Sequence, residues 1–203
     1  GALMMLTSNV LAMVTTDSKR LALSTAKGSG ADVNVIIPAK TLDVLAAQPL
    51  DGDVGLVAGP RHLFFTAGDR VLTSRTIDGK FPAYERIIPR DCDKRVTVSR
   101  IGLSAALKRV GLVSEQNLAC DCRLSAGVAE LVASSAEVGD AAEQVQVEYD
   151  GEPIKVRFNW QYVLDFLDAA VNQNVTLELK DDKSPMLLTD GVSHVAVIML
   201  MRS

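Results

Sequence analysis

The apolar and polar positions fall three times into the same order, a short alternating run that passes into an amphipathic stretch. Val33–Ala47 reads VNVIIPAKTLDVLAA, Val96–Val110 reads VTVSRIGLSAALKRV, and Ile154–Ala169 reads IKVRFNWQYVLDFLDA. Each pattern predicts a strand followed by a helix. The junctions are Pro38, Ser99 and Asn159, which lie 61 and 60 residues apart. Pro suits the first helical turn, and Ser and Asn are good N-caps, so each position can start a helix. A constant period of this size predicts stacked copies of one supersecondary unit, the way arrays and rings are built.

The segments after the three helices also match. VGLVA, HLFFTA and RVLTSRT come after the first, CRLSA, AELVASSA and EQVQVEYD after the second, and VTLELK, SPMLLTD and HVAVIML after the third. Each set reads as three short strands split by turn residues. The predicted unit is strand–helix–strand–strand–strand, and the fold class is α+β. Before Val33, the runs LMMLTSN, VLAMVTT and RLALST look like the trailing strands of an earlier unit. The chain is therefore expected to begin inside a repeat, N-terminally truncated.

Composition narrows the picture. With 203 residues and 48% apolar content, one or two domains with real cores are expected, packed mainly by Val, Leu, Ala and Ile because aromatics are only 4%. No apolar run approaches the length of a membrane span, and the opening GALMML lacks the basic flank of a secretory signal. Three cysteines, Cys92, Cys120 and Cys122, suit a reducing, cytoplasmic setting better than a disulfide framework. The net charge of −4 argues against a protein coated in positive charge, but leaves room for one basic concave face.

The predicted domain boundary is Asp78–Lys94, DGKFPAYERIIPRDCDK, rich in proline, turn residues and charge. Phe81, Tyr84, Ile87 and Ile88 within it need burial, so it reads either as a sealed joint or as one wall of a groove for a partner peptide. The stretch TSRTIDGKFPAYERIIP, Thr73 to Pro89, resembles the inter-domain segment of the bacterial DNA polymerase III β subunit, the β sliding clamp. TDSKRLALS at Thr16–Ser24 is similar to that family's Thr-Asp-Gly-His-Arg-Leu-Ala pattern. FNWQYVLDFLDA at Phe158–Ala169 is similar to its Phe-Asn-x-x-Tyr-hydrophobic-Leu-Asp helix start, and the closing IMLMRS to its Met-Pro-Met-Arg-Leu.

The resemblance implies a DNA-clamp fold, with antiparallel sheets outside and helices inside. It places residues 1–80 in an incomplete second domain, 81–94 in the connector and 95–203 in the third domain. The family closes as a head-to-tail homodimer ring around duplex DNA, opened by a clamp loader, and tethers the replicative polymerase without catalysing anything. A ring that slides needs phosphate contacts, which carry no sequence information, and not base contacts worth roughly 1–3 kcal/mol of discrimination each. DNA-facing candidates are Lys40, where the family has a DNA-contacting lysine, and Arg100, Lys108 and Arg109, for which a solvated helix face is an equal reading. The third helix carries no Lys or Arg between Asn159 and Ala170.

The family also binds short apolar motifs of polymerase, loader and repair proteins in a groove between its second and third domains. Carried over by motif, that groove comprises Thr16, Lys19, Arg20 and Leu21, then Pro82, Arg86 and Ile87, then Asn159 and Tyr162, and finally Met199, Leu200, Met201 and Arg202, with Ser184 and Pro185 at its border. The alternative for Met199 and Met201 is simple core, since HVAVIMLM alternates. Three departures stand out: Ser18-Lys19 replaces Gly-His, Leu200 replaces the Pro between the methionines, and Ser203 replaces the final Leu. In GLVSEQN, Leu112 and Val113 match the family's apolar dimer-contact pair, but the receiving first domain has no counterpart, so this chain alone is not expected to close a ring.

Two other functions compete. A clamp-derived peptide-binding module that does not encircle DNA has the same residues. An enzyme would have to use Cys120 and Cys122 with His62 and His194. A thiol nucleophile needs a nearby base and a zinc site four ligands, and CxC on a strand is expected to turn its two side chains to opposite faces. No phosphate loop or paired-His helix is present. Asp165 and Asp168 read as solvated surface. No cofactor and no metal are expected.

Overall fold

The computed structural model describes residues 1–48, 52–114 and 118–202. Three helices begin where the pattern changes: α1 (Ala39–Ala46), α2 (Arg100–Gly111) and α3 (Trp160–Ala169). Ser99 Oγ accepts from the Gly102 N–H at 3.3 Å, and Asn159 Oδ1 accepts from the N–H groups of Gln161 and Tyr162 at 2.9 and 3.3 Å. Each side chain thus satisfies helix N–H groups that have no intrahelical partner. Pro38 makes no side-chain cap, and its φ of −60° instead presets the first turn.

The chain divides into two compact units, Gly1–Thr16 with Leu23–Ala83, and Asp17–Ala22 with Tyr84–Ser203. In the N-terminal unit, β1 (Ala2–Thr7) lies between β2 (Val10–Thr16) and β4 (Val33–Ile37), antiparallel to both, and β3 (Arg20–Lys27), whose residues from Leu23 onward belong to this unit, flanks β2. A second antiparallel sheet holds β5 (Gly55–Ala58), β6 (His62–Ala67) and β7 (Arg70–Arg75) in that order. Met4, Ile37, Leu63 and Phe65 are the unit's buried centre, with Leu42 and Leu45 of α1 packed against them. A 2.7 Å hydroxyl contact between Thr41 and Ser74 ties α1 to β7.

The C-terminal unit contains two complete strand–helix–three-strand runs. The first is β8 (Lys94–Ser99), α2, β9 (Ala119–Ser125), β10 (Val128–Ser135) and β11 (Gly139–Glu148). The second is β12 (Ile154–Asn159), α3, β13 (Asn174–Leu179), β14 (Met186–Thr189) and β15 (His194–Ile198). Their spatial order is β12-β9-β10-β11-β8-β13-β14-β15. Beyond β15 the chain returns to β12, where the Met201 N–H donates to the Arg157 carbonyl at 2.7 Å. The helices cover this layer, α2 through Leu103, Ala106, Leu107 and Val110, and α3 through Val163, Leu164, Phe166 and Leu167. Those spacings give each helix one apolar stripe.

Two tight contacts shape this unit. A Cβ on Gly111 would sit 2.8 Å from the Trp160 ring, so the end of α2 approaches α3 as closely as it does because position 111 has no side chain. Asp190, 3% exposed, accepts from the N–H groups of Val192, Ser193 and His194 at 2.9 Å each and of Val171 at 3.3 Å, closing the β14–β15 turn.

Cys120 and Cys122 correct one expectation. Both side chains lie in the same core, because strand residues two apart share a face. Burial pushes each thiol up to about 12, which leaves them protonated and unreactive. Among the described residues no group of three His, Cys, Asp or Glu could hold a metal, and no helix is long and apolar enough to cross a membrane.

Candidate peptide-binding site

The C-terminal unit gathers three of its own segments at one place: the turn before β3, the start of α3 and the tail after β15. The turn is built by Asp17, whose Oδ1 accepts from the N–H groups of Lys19 and Arg20, both at 3.0 Å. Ser18 occupies the left-handed region at φ 69°, so the turn keeps a conformation that favours glycine and carries its small steric cost. The tail attaches to this turn through a 2.9 Å bond from the Met199 N–H to the Lys19 carbonyl. It reaches the start of α3 through the bond from Met201 to Arg157, two residues before the Asn159 cap.

Arg20 is the centre of the arrangement. Its guanidinium carbon lies 4.3 Å from the centroid of the Tyr162 ring, within cation–π range. Its Nε donates to Asp17 Oδ2 at 3.0 Å and its Nη1 donates to Asp165 Oδ2. Asp165 Oδ1 in turn accepts from Gln161 Nε2 at 2.9 Å. Partial burial works to raise the Asp17 carboxyl, but the Lys19 and Arg20 N–H groups and the guanidinium outweigh it and hold it below the usual carboxylate range.

Apolar surface adjoins this polar cluster. Met199 is 40% exposed, which overturns the simple-core alternative for that residue. Leu200 and Met201 are half-buried, and Leu200 packs against the unit's core. Three consecutive residues, Ala196 to Ile198, are buried, so the alternation read in HVAVIMLM does not hold there. Leu21 is buried and Arg202 exposed.

The connector forms a short 3-10 turn, Tyr84–Arg86, with Arg86 exposed. Phe81, Tyr84 and Ile88 are half-buried, whereas Ile87, expected inside, is 37% exposed. Ser184, expected at the border, donates its N–H to Asp181 Oδ1 at 2.6 Å. Thr16 and Pro82 belong to the N-terminal unit. Asp17 and Asp165 both stand inside the matched motifs, TDSKRL and FNWQYVLD, but are not among the site residues expected from them. Their contacts with Arg20 bring them into the candidate site.

The basic residues of the helices divide. Lys40 on α1 and Lys108 on α2 are exposed, Lys108 with Asp168 4.0 Å away. Arg100 instead donates to the Asn172 and Leu167 carbonyls at 3.1 and 3.2 Å, satisfying the end of α3. Arg109 forms a two-pronged pair with Glu143 at 2.7 and 2.9 Å, which holds the Glu143 carboxyl below its ordinary range. Leu112 is 82% exposed at the end of α2, while Val113 packs back on the core.

The chain that carries these residues is similar to known proteins along its length. Residues 1–83 match the central domain of the DNA polymerase III beta subunit and residues 85–202 its C-terminal domain. The chain is 36% identical over 210 residues to the beta sliding clamp of Pseudomonas aeruginosa, covering 100% of this chain and 57% of that protein. It is 30% identical to the Escherichia coli beta sliding clamp, over 94% of this chain and 54% of that one. The crystal structure of the P. aeruginosa DNA polymerase III subunit beta superimposes with a TM-score of 0.92 at 36% identity, over 100% of this chain and 58% of that chain. The Caulobacter crescentus sliding clamp gives 0.91 at 32% identity, covering 100% and 57%. The chain thus spans somewhat more than half the length of the relatives it matches. On this agreement of sequence, strand–helix repeat and fold, the chain belongs to the DNA polymerase III β-subunit family, the β sliding clamps.

Proposed function

We propose that this chain supplies the partner-recruiting part of a sliding clamp, a non-catalytic processivity factor that works on DNA in the cytoplasm, at the nucleoid. The observation that carries this reading is the surface made by Arg20 over Tyr162 beside the exposed Met199 and half-buried Met201. An aromatic with a fixed cation offers shape, and methionines offer adaptable apolar contact, which suits short linear motifs of differing partners. Those partners are the polymerase III catalytic subunit, the clamp loader and repair proteins. Lys19, Leu21, Arg86, Ile87, Asn159, Leu200 and Arg202 complete the site within the C-terminal unit. The chemistry these side chains offer is recognition.

A fluorescent peptide of the polymerase clamp-binding type tests this reading. Saturable binding is expected, weakened about tenfold, or about 1.4 kcal/mol, by either Arg86→Ala or Met201→Ala. A folded chain that does not bind the peptide refutes the site.

For duplex DNA, Lys40 and Lys108 are the leading contacts, and Arg100 and Arg109 serve once their present partners are exchanged for phosphate. Leu112 and Val113 belong to the contact through which a full-length homodimer ring closes. The recruiting surface lies within one unit, which also favours a second reading, a peptide-binding module that does not encircle DNA. Duplex binding is expected to be weak, indifferent to sequence and steeply salt-dependent, and Lys40→Ala is expected to lower it roughly twofold to fivefold and flatten the salt slope by about one. An unchanged slope in an electrophoretic or anisotropy titration removes Lys40 from the DNA face.

A further inference from the structure

Asp165 stands on an exposed face of α3, one turn beyond Gln161 and Tyr162, and its two oxygens are divided between two tasks. Oδ1 accepts from Gln161 Nε2 at 2.9 Å, which fixes the carboxylate on its own helix. Oδ2 accepts from Arg20, a residue 145 positions away in sequence. Arg20 is held on its other edge by Asp17 at 3.0 Å and lies 4.3 Å over the Tyr162 ring. Side chains of Arg20, Asp17 and Asp165 remain 37%, 48% and 46% exposed. Ion pairs this open contribute little to folding, so stability is a poor reason for fastening one arginine with two carboxylates and a ring. Fastening does matter to a ligand. A long, rotamer-rich side chain that is already oriented need not be immobilised when a partner arrives. Arginine suits the task because its rigid fork can meet a carboxylate at each edge while its flat face stacks on the ring.

We infer that Asp165 is a positioning residue of the peptide site, holding the Arg20 guanidinium over Tyr162 so that this platform is formed before a peptide binds. The inference rests on the peptide-binding reading above and adds to it a residue that does not itself have to touch the peptide. Asp165→Asn keeps the shape of the side chain and removes its charge. Asp165→Glu keeps the charge and moves it by one methylene. Their effects should therefore differ from those of a simple loss of packing.

The experiment compares the whole chain with Asp165→Asn, Asp165→Glu, Arg20→Ala and the Arg20→Ala, Asp165→Asn double variant. Affinity for the fluorescent polymerase-type peptide and the arginine Nε–Hε NMR signals are both measured. Asp165→Asn is expected to weaken binding threefold to tenfold, mostly through faster dissociation, and to broaden the Arg20 Hε signal while other amide signals stay in place. Asp165→Glu should recover part of the affinity. In the Arg20→Ala background the Asn substitution should change affinity less than twofold, because the group it acts through is gone. Equal losses in both backgrounds, or wild-type affinity in Asp165→Asn, overturn the inference while leaving the peptide site intact. Absence of binding by the unmodified chain strikes the peptide site itself and the role of Asp165 with it.

Discussion

Replacing Asp190 with alanine is expected to lower the unfolding free energy of the C-terminal unit by about 3–4 kcal/mol, more than an ordinary surface substitution costs by far. Its side chain is fully enclosed and accepts from four backbone N–H groups, those of Val171, Val192, Ser193 and His194. Truncation leaves all four donors without that acceptor in a place water reaches poorly. Burial by itself would raise the Asp190 carboxyl, but the four donors outweigh it and hold the group well below the ordinary carboxylate range. A depressed native value means the native state binds the proton less readily than the unfolded chain. The Asp190 contribution is therefore complete above the unfolded value of about 3.9 and is lost as pH falls towards the native one. Urea unfolding at pH 7 and at about pH 3 checks both points: the gap between the wild type and Asp190→Asn should narrow in acid. A gap independent of pH would mean that the turn is held by something other than this carboxylate.

Gly111→Ala is expected to cost about 2 kcal/mol, although glycine near a helix end is normally improved by alanine. The new methyl group would stand 2.8 Å from Trp160 Cζ2 and 2.9 Å from Cε2, and an indole ring cannot yield as a flexible side chain does. Helix propensity alone argues the other way by up to about 1 kcal/mol. The sign thus depends on the ring, and the Trp160→Leu background should make Gly111→Ala neutral or stabilising. Thermal unfolding of the four proteins in this cycle decides it, and a cost that persists without the indole would place the strain elsewhere. Because Leu112 and Val113 come immediately after it, Gly111→Ala should also weaken any assembly that uses them. Val113 packs on the same core as the helix end that would shift.

Much of this architecture is legible in the chain because it depends on local chemistry. Pro38, Ser99 and Asn159 mark all three helix starts, and the runs between turn residues become strands at the expected places. Alternation fails where a strand is covered on more than one side, as at Ala196–Ile198. The opposite-face expectation also fails at Cys120 and Cys122, which share a face as any residues two apart on a strand must. The site is legible in outline through its motifs. Asp165 stands in the helix-start motif, yet its sequence position reads as solvated surface and does not show that it reaches Arg20.

The sequence by itself determined the repeat, the elements, the family and the segments proposed for the site, since periodicity, caps and motifs are properties of neighbouring residues. Only the tertiary structure decided which charges are engaged. Arg100 and Arg109, Lys40 and Lys108 look alike as letters on helices, yet Arg100 closes on carbonyls and Arg109 on a carboxylate, while Lys108 stands 4.0 Å from Asp168 and Lys40 is exposed. Arg20, Tyr162 and Asp165 become one cluster because the Asp17–Ala22 segment packs with the C-terminal unit, far along the chain from where it is written. Pairing of charges depends on distance in space, and a contact across 145 residues leaves no local trace in either segment.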